Sequence, residues 1–242
     1  FSTKNVKINT SYQRVTKLLP SFVSKKIPNM LTRFGNLNYR GDLSLNPTEI
    51  VANGYAVSGL GDADIRAQIR NYKNPKALIY KGTLDAKNLN LRQLTQAKDL
   101  GYVSGKFRFD GRGTDLKNIN LNLDGSLRYI DLMGKRYQNI TVDGLLKNYQ
   151  FDGLFDIKDP NLNAKLNGKI NFSGKPYVFD FKSNINHIDL DFLGLTKNMN
   201  AVVRGDVTGD FRLTNIDDLN GNIDVKNLYF RSKKDTLQLD HV

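Results

Sequence analysis

Residues 162–172, with the sequence LNAKLNGKINF, decide the fold of this chain. Apolar side chains or Gly occupy every second position from Leu162 to Phe172, and Asn or Lys occupies each position between them. Because side chains along a β-strand point alternately to opposite faces, this stretch predicts a strand with one apolar and one polar face. A sheet with one dry face and one wet face requires this pattern.

A short unit recurs with the alternation: an apolar residue, any residue, Gly, any residue and an apolar residue. Two copies, Tyr39–Leu43 and Val203–Val207, also contain Arg-Gly-Asp, which we interpret as a coincidence of the repeat. Such an array indicates a structural repeat and not a single enzymatic site. The repeat glycines fall on the apolar face at Gly41, Gly82, Gly105, Gly125, Gly144, Gly153, Gly168, Gly205 and Gly221.

Gly in a strand interior weakens the strand, so these glycines need a compensating role. One role is tight curvature of the sheet toward a face that lacks side chains. A second role is to make space for a ligand, since the missing side chains leave a trough into which another molecule fits. A third is a β-bulge or a packing niche in an ordinary sandwich. The sequence alone leaves these alternatives open.

The composition is that of a globular chain of 242 residues, with 39% hydrophobic and 25% charged residues. The absence of Cys excludes disulfides and thiolate metal sites. The net charge of +12 is spread along the chain, which favours a solvated polar face over a phosphate-binding tract. No run of 18 apolar residues is present. The chain starts and stops within the strand pattern, so we expect a segment of a longer protein.

Two stretches have helical spacing in place of alternation. Residues 11–34 predict a kinked helical element interrupted by Pro20 and Pro28, and residues 91–100 predict a short helix. We expect both amphipathic elements to cover an open end or edge of the sheet. The remainder of 1–242 is predicted to be one repetitive β domain.

Catalytic and metal-binding signatures are not found in the sequence. His187 and His241 are the only histidines, and neither accompanies a Ser or Cys nucleophile signature. Asp189 and Asp191 are spaced by two residues without continuing into a calcium loop, so we interpret them as strand-end carboxylates. We therefore predict that the chain is not an enzyme and has no cofactor and no bound metal.

A series of short stretches along the chain resembles one known family. In chain order they are KLLP at 17–20, LNYRGDL at 37–43, YKGTL at 80–84, LGYVSG at 100–105, DGRG at 110–113, YQNI at 137–140, FDGLF at 151–155 and DIKDPNL at 156–162. Together they resemble the repetitive middle region of the TamB family, the translocation and assembly module proteins, in the form found in Bacteroidetes-type bacteria. The resemblance covers nearly the whole chain, and its motifs are degenerate strand patterns.

The resemblance implies an elongated, curved, all-β sheet that forms a U-shaped apolar groove, a β-taco. Members of this AsmA-like superfamily are anchored in the inner membrane and extend through the periplasm. They partner an Omp85-class outer-membrane barrel protein and serve outer membrane biogenesis, through barrel assembly or phospholipid transport. The resemblance implies that membrane and partner contacts use terminal regions that are absent from this segment.

We predict that the apolar side chains of this face line the groove and contact phospholipid acyl chains. Each buried CH₂ group stabilises such a contact by about 0.8 kcal/mol. The predicted lining consists of Leu43, Leu84, Phe107, Leu123, Leu127, Val142, Leu146, Phe155, Leu166, Ile170, Phe172, Phe179, Phe181, Val203 and Ile223.

Two other functions compete with the lipid groove. A β-sandwich that binds or adheres through its outer surface would bury its apolar faces completely. A nucleic-acid binder would interleave aromatic and basic residues on its polar face. The phenylalanines at 107, 109, 151, 155, 172, 179, 181 and 211 are predicted to belong to the apolar face, which argues against nucleic acid.

Overall fold

The chain folds as a β-sheet, and the predicted all-β class is confirmed. The computed structural model describes residues 2–11, 33, 35–74, 77–96, 98–113, 115–215 and 218–241. Within these residues, fourteen strands form one open sheet whose strand order follows chain order. The strands are β1 (Ser2–Ser11), β2 (Asn36–Leu45), β3 (Glu49–Ser58), β4 (Gly61–Arg70), β5 (Ile79–Asn90), β6 (Leu100–Arg112), β7 (Asn120–Leu132), β8 (Lys135–Lys147), β9 (Gln150–Lys158), β10 (Leu162–Asn171), β11 (Tyr177–Asp189), β12 (Val202–Asn215), β13 (Asp218–Arg231) and β14 (Thr236–His241).

The strands belong to two compact units, Phe1–Tyr137 and Gln138–Val242. In the first unit β1 to β7 pair antiparallel with their chain neighbours. The second unit contains β8 from Gln138 onward and the strands β9 to β14, which again pair antiparallel with their chain neighbours. Short polar connections and the period-two pattern make this meander the simplest arrangement that pairs every strand and keeps the apolar side chains on one face.

Several register shifts interrupt the ladders, and at three of them the irregular strand contains an Asn with a left-handed backbone. The φ angles are 52° at Asn5, 54° at Asn88 and 53° at Asn227. The strand register shifts at each of these positions. Asn tolerates this conformation better than most residues, and a bulge bends its strand and increases the local twist.

The two Arg-Gly-Asp copies have a structural role at these bulges. Asp42 accepts a hydrogen bond of 2.9 Å from the backbone N–H of Asn5. Asp206 accepts hydrogen bonds from the side-chain amides of Asn184 and Asn227, at 2.7 and 2.8 Å. These bonds lower the pKa of Asp206, the bond from Asn184 most strongly. The Asp of each copy therefore holds the bulged Asn of the adjacent strand by a hydrogen bond, Asn5 on β1 and Asn227 on β13.

Two short helices occur among the described residues. Helix α1 (Leu91–Thr95) begins after Asn90, whose side chain accepts from the backbone N–H of Gln93. It ends at Gln96, which has a left-handed φ of 66°, so the helix predicted over 91–100 is shorter than expected. The strand β6 already begins at Leu100.

Helix α2 (Leu190–Leu193) was not anticipated by the sequence pattern. Asp189 accepts a hydrogen bond from the backbone N–H of Phe192, and Gly194 ends the helix with a φ of 79°. Asp191 accepts from the backbone N–H groups of Met199 and Asn200, which fixes the following loop. The predicted kinked element over 11–34 lies outside the described residues, apart from residues 11 and 33.

Few apolar side chains are fully buried in the part of the chain that the structure describes. Most apolar residues of the strands are half-buried. The buried apolar residues are Tyr39, Ala56, Leu60, Ala86, Val103, Ile119, Ile140, Val142, Ala201 and Val202, and Leu60 is the largest of those that are fully buried.

Candidate functional site: one apolar sheet face

The strand register places the predicted lining residues of the first unit on one face of its sheet. Residues directly opposite each other in an antiparallel pair lie on the same face. Leu84 lies opposite Ile65 on β4 and Phe107 on β6. The same face therefore carries three rows of paired residues across the sheet. The first row is Leu43, Ala52, Ala67, Gly82, Phe109 and Leu123, the second is Gly41, Gly54, Ile65, Leu84, Phe107 and Gly125, and the third is Tyr39, Ala56, Ala63, Ala86, Gly105 and Leu127.

The second unit has an equally regular apolar face. One row across its strands contains many glycines, and the rows on either side contain most of the large apolar side chains. The glycine row is Gly144, Gly153, Gly168, Phe181, Gly209 and Ile223. The flanking rows are Leu146, Phe151, Ile170, Phe179, Phe211 and Gly221, and Val142, Phe155, Leu166, Ser183, Val207 and Val225.

Exposure is the property that makes this face a candidate binding surface. Val142 is the one predicted lining residue that is buried, with 5% of its surface accessible. Ile223 is 44% accessible, and the other thirteen are half-buried. Ordinary interior packing hides such side chains almost completely, since a buried core residue is contacted on all sides. The face is thus apolar, ordered and partly open to solvent.

Phe172 differs from the other predicted lining residues, because it does not lie in a strand. The strand β10 ends at Asn171, and the backbone N–H of Phe172 donates to the carbonyl of Tyr149 at 2.9 Å. The ring of Phe172 meets the ring of Tyr149 edge-on, with centroids 6.2 Å apart. Phe172 therefore covers a hairpin end at the border of the face.

Aromatic rings occupy the space above several repeat glycines. A Cβ atom at Gly144 would lie 2.7 Å from the ring of Phe151, and one at Gly125 would lie 2.8 Å from the ring of Phe107. Phe151 and Phe155, which flank Gly153, have ring centroids 4.7 Å apart. At Gly125 and Gly144 an aromatic ring therefore occupies the space that the missing side chain leaves, as in a packing niche.

Phe211, Tyr80 and Phe109 lie on this face but were not included in the predicted lining. Phe211 stacks on Phe179, with centroids 4.9 Å apart, and meets Phe181 edge-on at 6.1 Å. Tyr80 and Phe109 form a similar pair at 6.2 Å in the first unit. The alternation signalled all of these, because each lies two residues from another position of the face.

The opposite face carries the charged side chains, many of them in cross-strand pairs. Arg128 contacts Asp85 at 3.1 Å, Lys87 contacts Asp64 at 3.4 Å and Lys169 contacts Asp152 at 3.7 Å. Exposed pairs of this kind add little to stability, about 0–1 kcal/mol each. Their main effect is to keep this face hydrated, so that the two faces differ sharply in polarity.

The ionisable groups form structural contacts. The imidazole of His241 lies 2.6 Å from Asp224, joins β14 to β13 and lowers the pKa of that carboxyl. Among the described residues, no three metal-ligating side chains lie together. No helix in the described part of the chain has the length and hydropathy needed to cross a membrane.

Comparisons of the chain with protein-family models, with curated proteins and with solved structures find no match.

Proposed function

We propose that this chain is a segment of a TamB-type lipid groove, in which the apolar face contacts phospholipid acyl chains. The partial exposure of fourteen of the fifteen predicted lining residues carries the proposal. An ordered apolar face that water reaches is unfavourable unless another apolar molecule covers it.

The composition of the face suits a chain that moves along it. Its rows contain apolar side chains and Gly, and their hydroxyl groups are those of Ser183 and of Tyr39, which donates to the carbonyl of Asp42. Without a pocket of defined shape or a charged anchor on these rows, each position offers an acyl chain a similar contact free energy. Similar free energies at successive positions let a chain shift without a large barrier.

The same proposal assigns the segment to the periplasm, as part of a protein anchored in the inner membrane. Its task there is phospholipid transport between the inner and outer membranes, assistance to outer-membrane barrel assembly, or both. Contacts with an Omp85-class barrel protein would use regions outside this chain. The role proposed for the segment is binding and guidance, without catalysis.

The alternative function is a binding or adhesion module that acts through its polar outer surface. Such a module buries the apolar side of its sheet as a sandwich does. The described strands follow one another in a single sheet, and the half-buried state of Leu166, Phe179 and Phe181 favours the groove.

Site-specific photo-crosslinking tests the proposal. A photoreactive amino acid replaces Phe181 on the apolar face in one sample and Lys182, the next residue on the polar face, in a matched control. The protein is expressed in cells, crosslinked and analysed by lipid mass spectrometry. We expect phospholipid adducts at position 181 and none at position 182.

The absence of lipid at both positions, or equal labelling at both, would contradict the proposed groove. A crosslinked polypeptide at 182 in that case would support the outer-surface binding module. Circular dichroism of both proteins checks that the sheet is retained, so that loss of labelling cannot be assigned to unfolding.

A further inference from the structure

A cationic cavity of about 340 Å³ lies in the first unit, outside the apolar face. It is formed where β5 ends, β6 begins, β7 ends and β8 begins. Asn90 and Tyr102 lie opposite each other next to the apolar pair Leu89 and Val103, so they point to the polar face. The cavity therefore opens at the border of the sheet on its polar side.

One guanidinium in this cavity is held in a fixed orientation. Arg136 donates two hydrogen bonds to the carboxylate of Asp131, at 2.7 and 3.0 Å. Its guanidinium carbon also lies 3.9 Å from the ring centroid of Tyr129. The bonds from Arg136 lower the pKa of Asp131, which stays ionised at neutral pH. Asp131 thus neutralises Arg136 and orients it.

Two further cationic side chains line the cavity, Arg92 and Lys135. The Nε atom of Arg92 donates to the carbonyl of Leu100 at 3.0 Å, which holds this side chain at the start of β6. Three cationic lining residues and one carboxylate give the cavity a net charge of +2. Gly134 also lines the cavity, and the space beside its Cα atom is open, since a Cβ atom there would meet no atom within 4 Å.

From this charge and geometry we infer that the cavity is a binding site for a phosphate monoester. A phosphate monoester carries about −1.5 to −2 charges at neutral pH and several acceptor oxygens, which match a net charge of +2 and guanidinium donors. A carboxylate, with one charge, matches it less well. A site of this size holds the phosphate together with the group esterified to it.

This site is separate from the proposed acyl-chain contact, since its residues are not among the rows of the apolar face and its strand residues Asn90 and Tyr102 point to the polar face. The phosphate comes either from a lipid head group at the sheet border or from a water-soluble phosphomonoester. Both sources share the chemistry that Arg92, Lys135 and Arg136 recognise.

NMR titration of the ¹⁵N-labelled chain tests the inference. Glycerol 3-phosphate is the soluble probe, and dihexanoyl phosphatidic acid below its critical micelle concentration is the lipid probe. We expect saturable shifts of the backbone amides of Gly101, Asp131 and Gly134 with glycerol 3-phosphate, and at least tenfold weaker binding of acetate. Tighter binding of the lipid probe, with added shifts on the apolar face, identifies a head group, and equal binding identifies a soluble ester.

The variant Arg92→Ala plus Lys135→Ala should weaken glycerol 3-phosphate binding at least tenfold. The matched control is Lys165→Ala plus Lys182→Ala, which removes two exposed cations from the polar face of the second unit. Shifts that do not saturate, or equal weakening in both variants, would overturn the phosphate site. Crosslinking at position 181 tests the lipid groove and does not depend on this cavity. A negative result for phosphate binding would therefore leave the groove proposal unaffected.

Discussion

Gly153 lies in the glycine row of the second unit, between Gly144 and Gly168 on the neighbouring strands. A Cβ atom at this position would overlap the carbonyl oxygen of Asp143 and lie 2.5 Å from the Cα atom of Gly144. Backbone atoms of a paired strand cannot yield without breaking the ladder. Glycine is therefore required here by the close approach of two strands and by the rings above them.

The substitution Gly153→Ala should lower the free energy of unfolding by about 1–3 kcal/mol, because overpacking forces the strands apart. Urea unfolding measured by circular dichroism gives this quantity. Gly174→Ala is the control, since a Cβ atom at Gly174 meets nothing within 4 Å and should change stability by less than about 0.5 kcal/mol. Equal effects of the two substitutions would show that close strand approach is not the reason for Gly153.

At the scale of the strand, the bulge at Asn227 couples the conformation of β13 to a carboxylate on β12. Hydrogen bonds from Asn184 and Asn227 to Asp206 lower the pKa of Asp206 below its ordinary value of 3.8. A group with a lowered folded-state pKa stabilises the fold above its unfolded-state pKa, and this contribution is lost as the pH falls through the folded-state pKa. We therefore expect the hydrogen bonds between Asp206 and the two Asn side chains to weaken only below pH 3.8.

The carboxyl ¹³C resonance of Asp206 should titrate below 3.8, and Asn184→Ala should move the midpoint up toward 3.8. Asn222→Ala is the control, because Asn222 pairs with Asp210 and makes no hydrogen bond with Asp206 among those described. A titration midpoint unchanged by Asn184→Ala would mean that these amides do not hold the bulge.

Strands were predictable from the sequence, but their irregularities were not. Alternation of apolar and polar side chains is a direct consequence of strand geometry, so β10 and β11 follow from pattern alone. A bulge inserts one residue and reverses the faces beyond it. Leu127 and Tyr129 keep the alternation in sequence, yet Tyr129 pairs with Ser104 on the polar face because the register shifts between them. Such shifts depend on cross-strand partners that are distant in sequence.

The candidate lining was predictable to the same extent as the strands. Residues in strand interiors, such as Leu166 and Phe181, lie on the expected face because period two fixes their direction. The pattern did not reveal that β10 ends at Asn171, one residue before Phe172, because alternation does not show where a strand stops and a turn begins. The rings above the glycines were also hidden, because they come from neighbouring strands.

At the scale of the whole molecule, an ordered apolar face beside a strongly charged face has a measurable consequence. The native protein should bind single alkyl chains on the apolar face, and affinity should rise with chain length. Full transfer of a CH₂ group contributes about 0.8 kcal/mol, which corresponds to about a fourfold gain in affinity per methylene. A partly open face should give a smaller gain, of about two- to threefold per methylene.

Alkyl maltosides of eight, ten and twelve carbons, used below their critical micelle concentrations, test this by calorimetry and by the rise in melting temperature that ligand binding produces. Leu166→Asn plus Phe181→Asn should abolish the chain-length dependence, since both changes place amides on the apolar face. Lys165→Asn plus Lys182→Asn, which makes the same changes on the polar face of the same two strands, should preserve it. Affinity independent of chain length in the unmodified protein would indicate that the apolar face is closed to ligands, and the outer-surface binding module would then be the better account of this sheet.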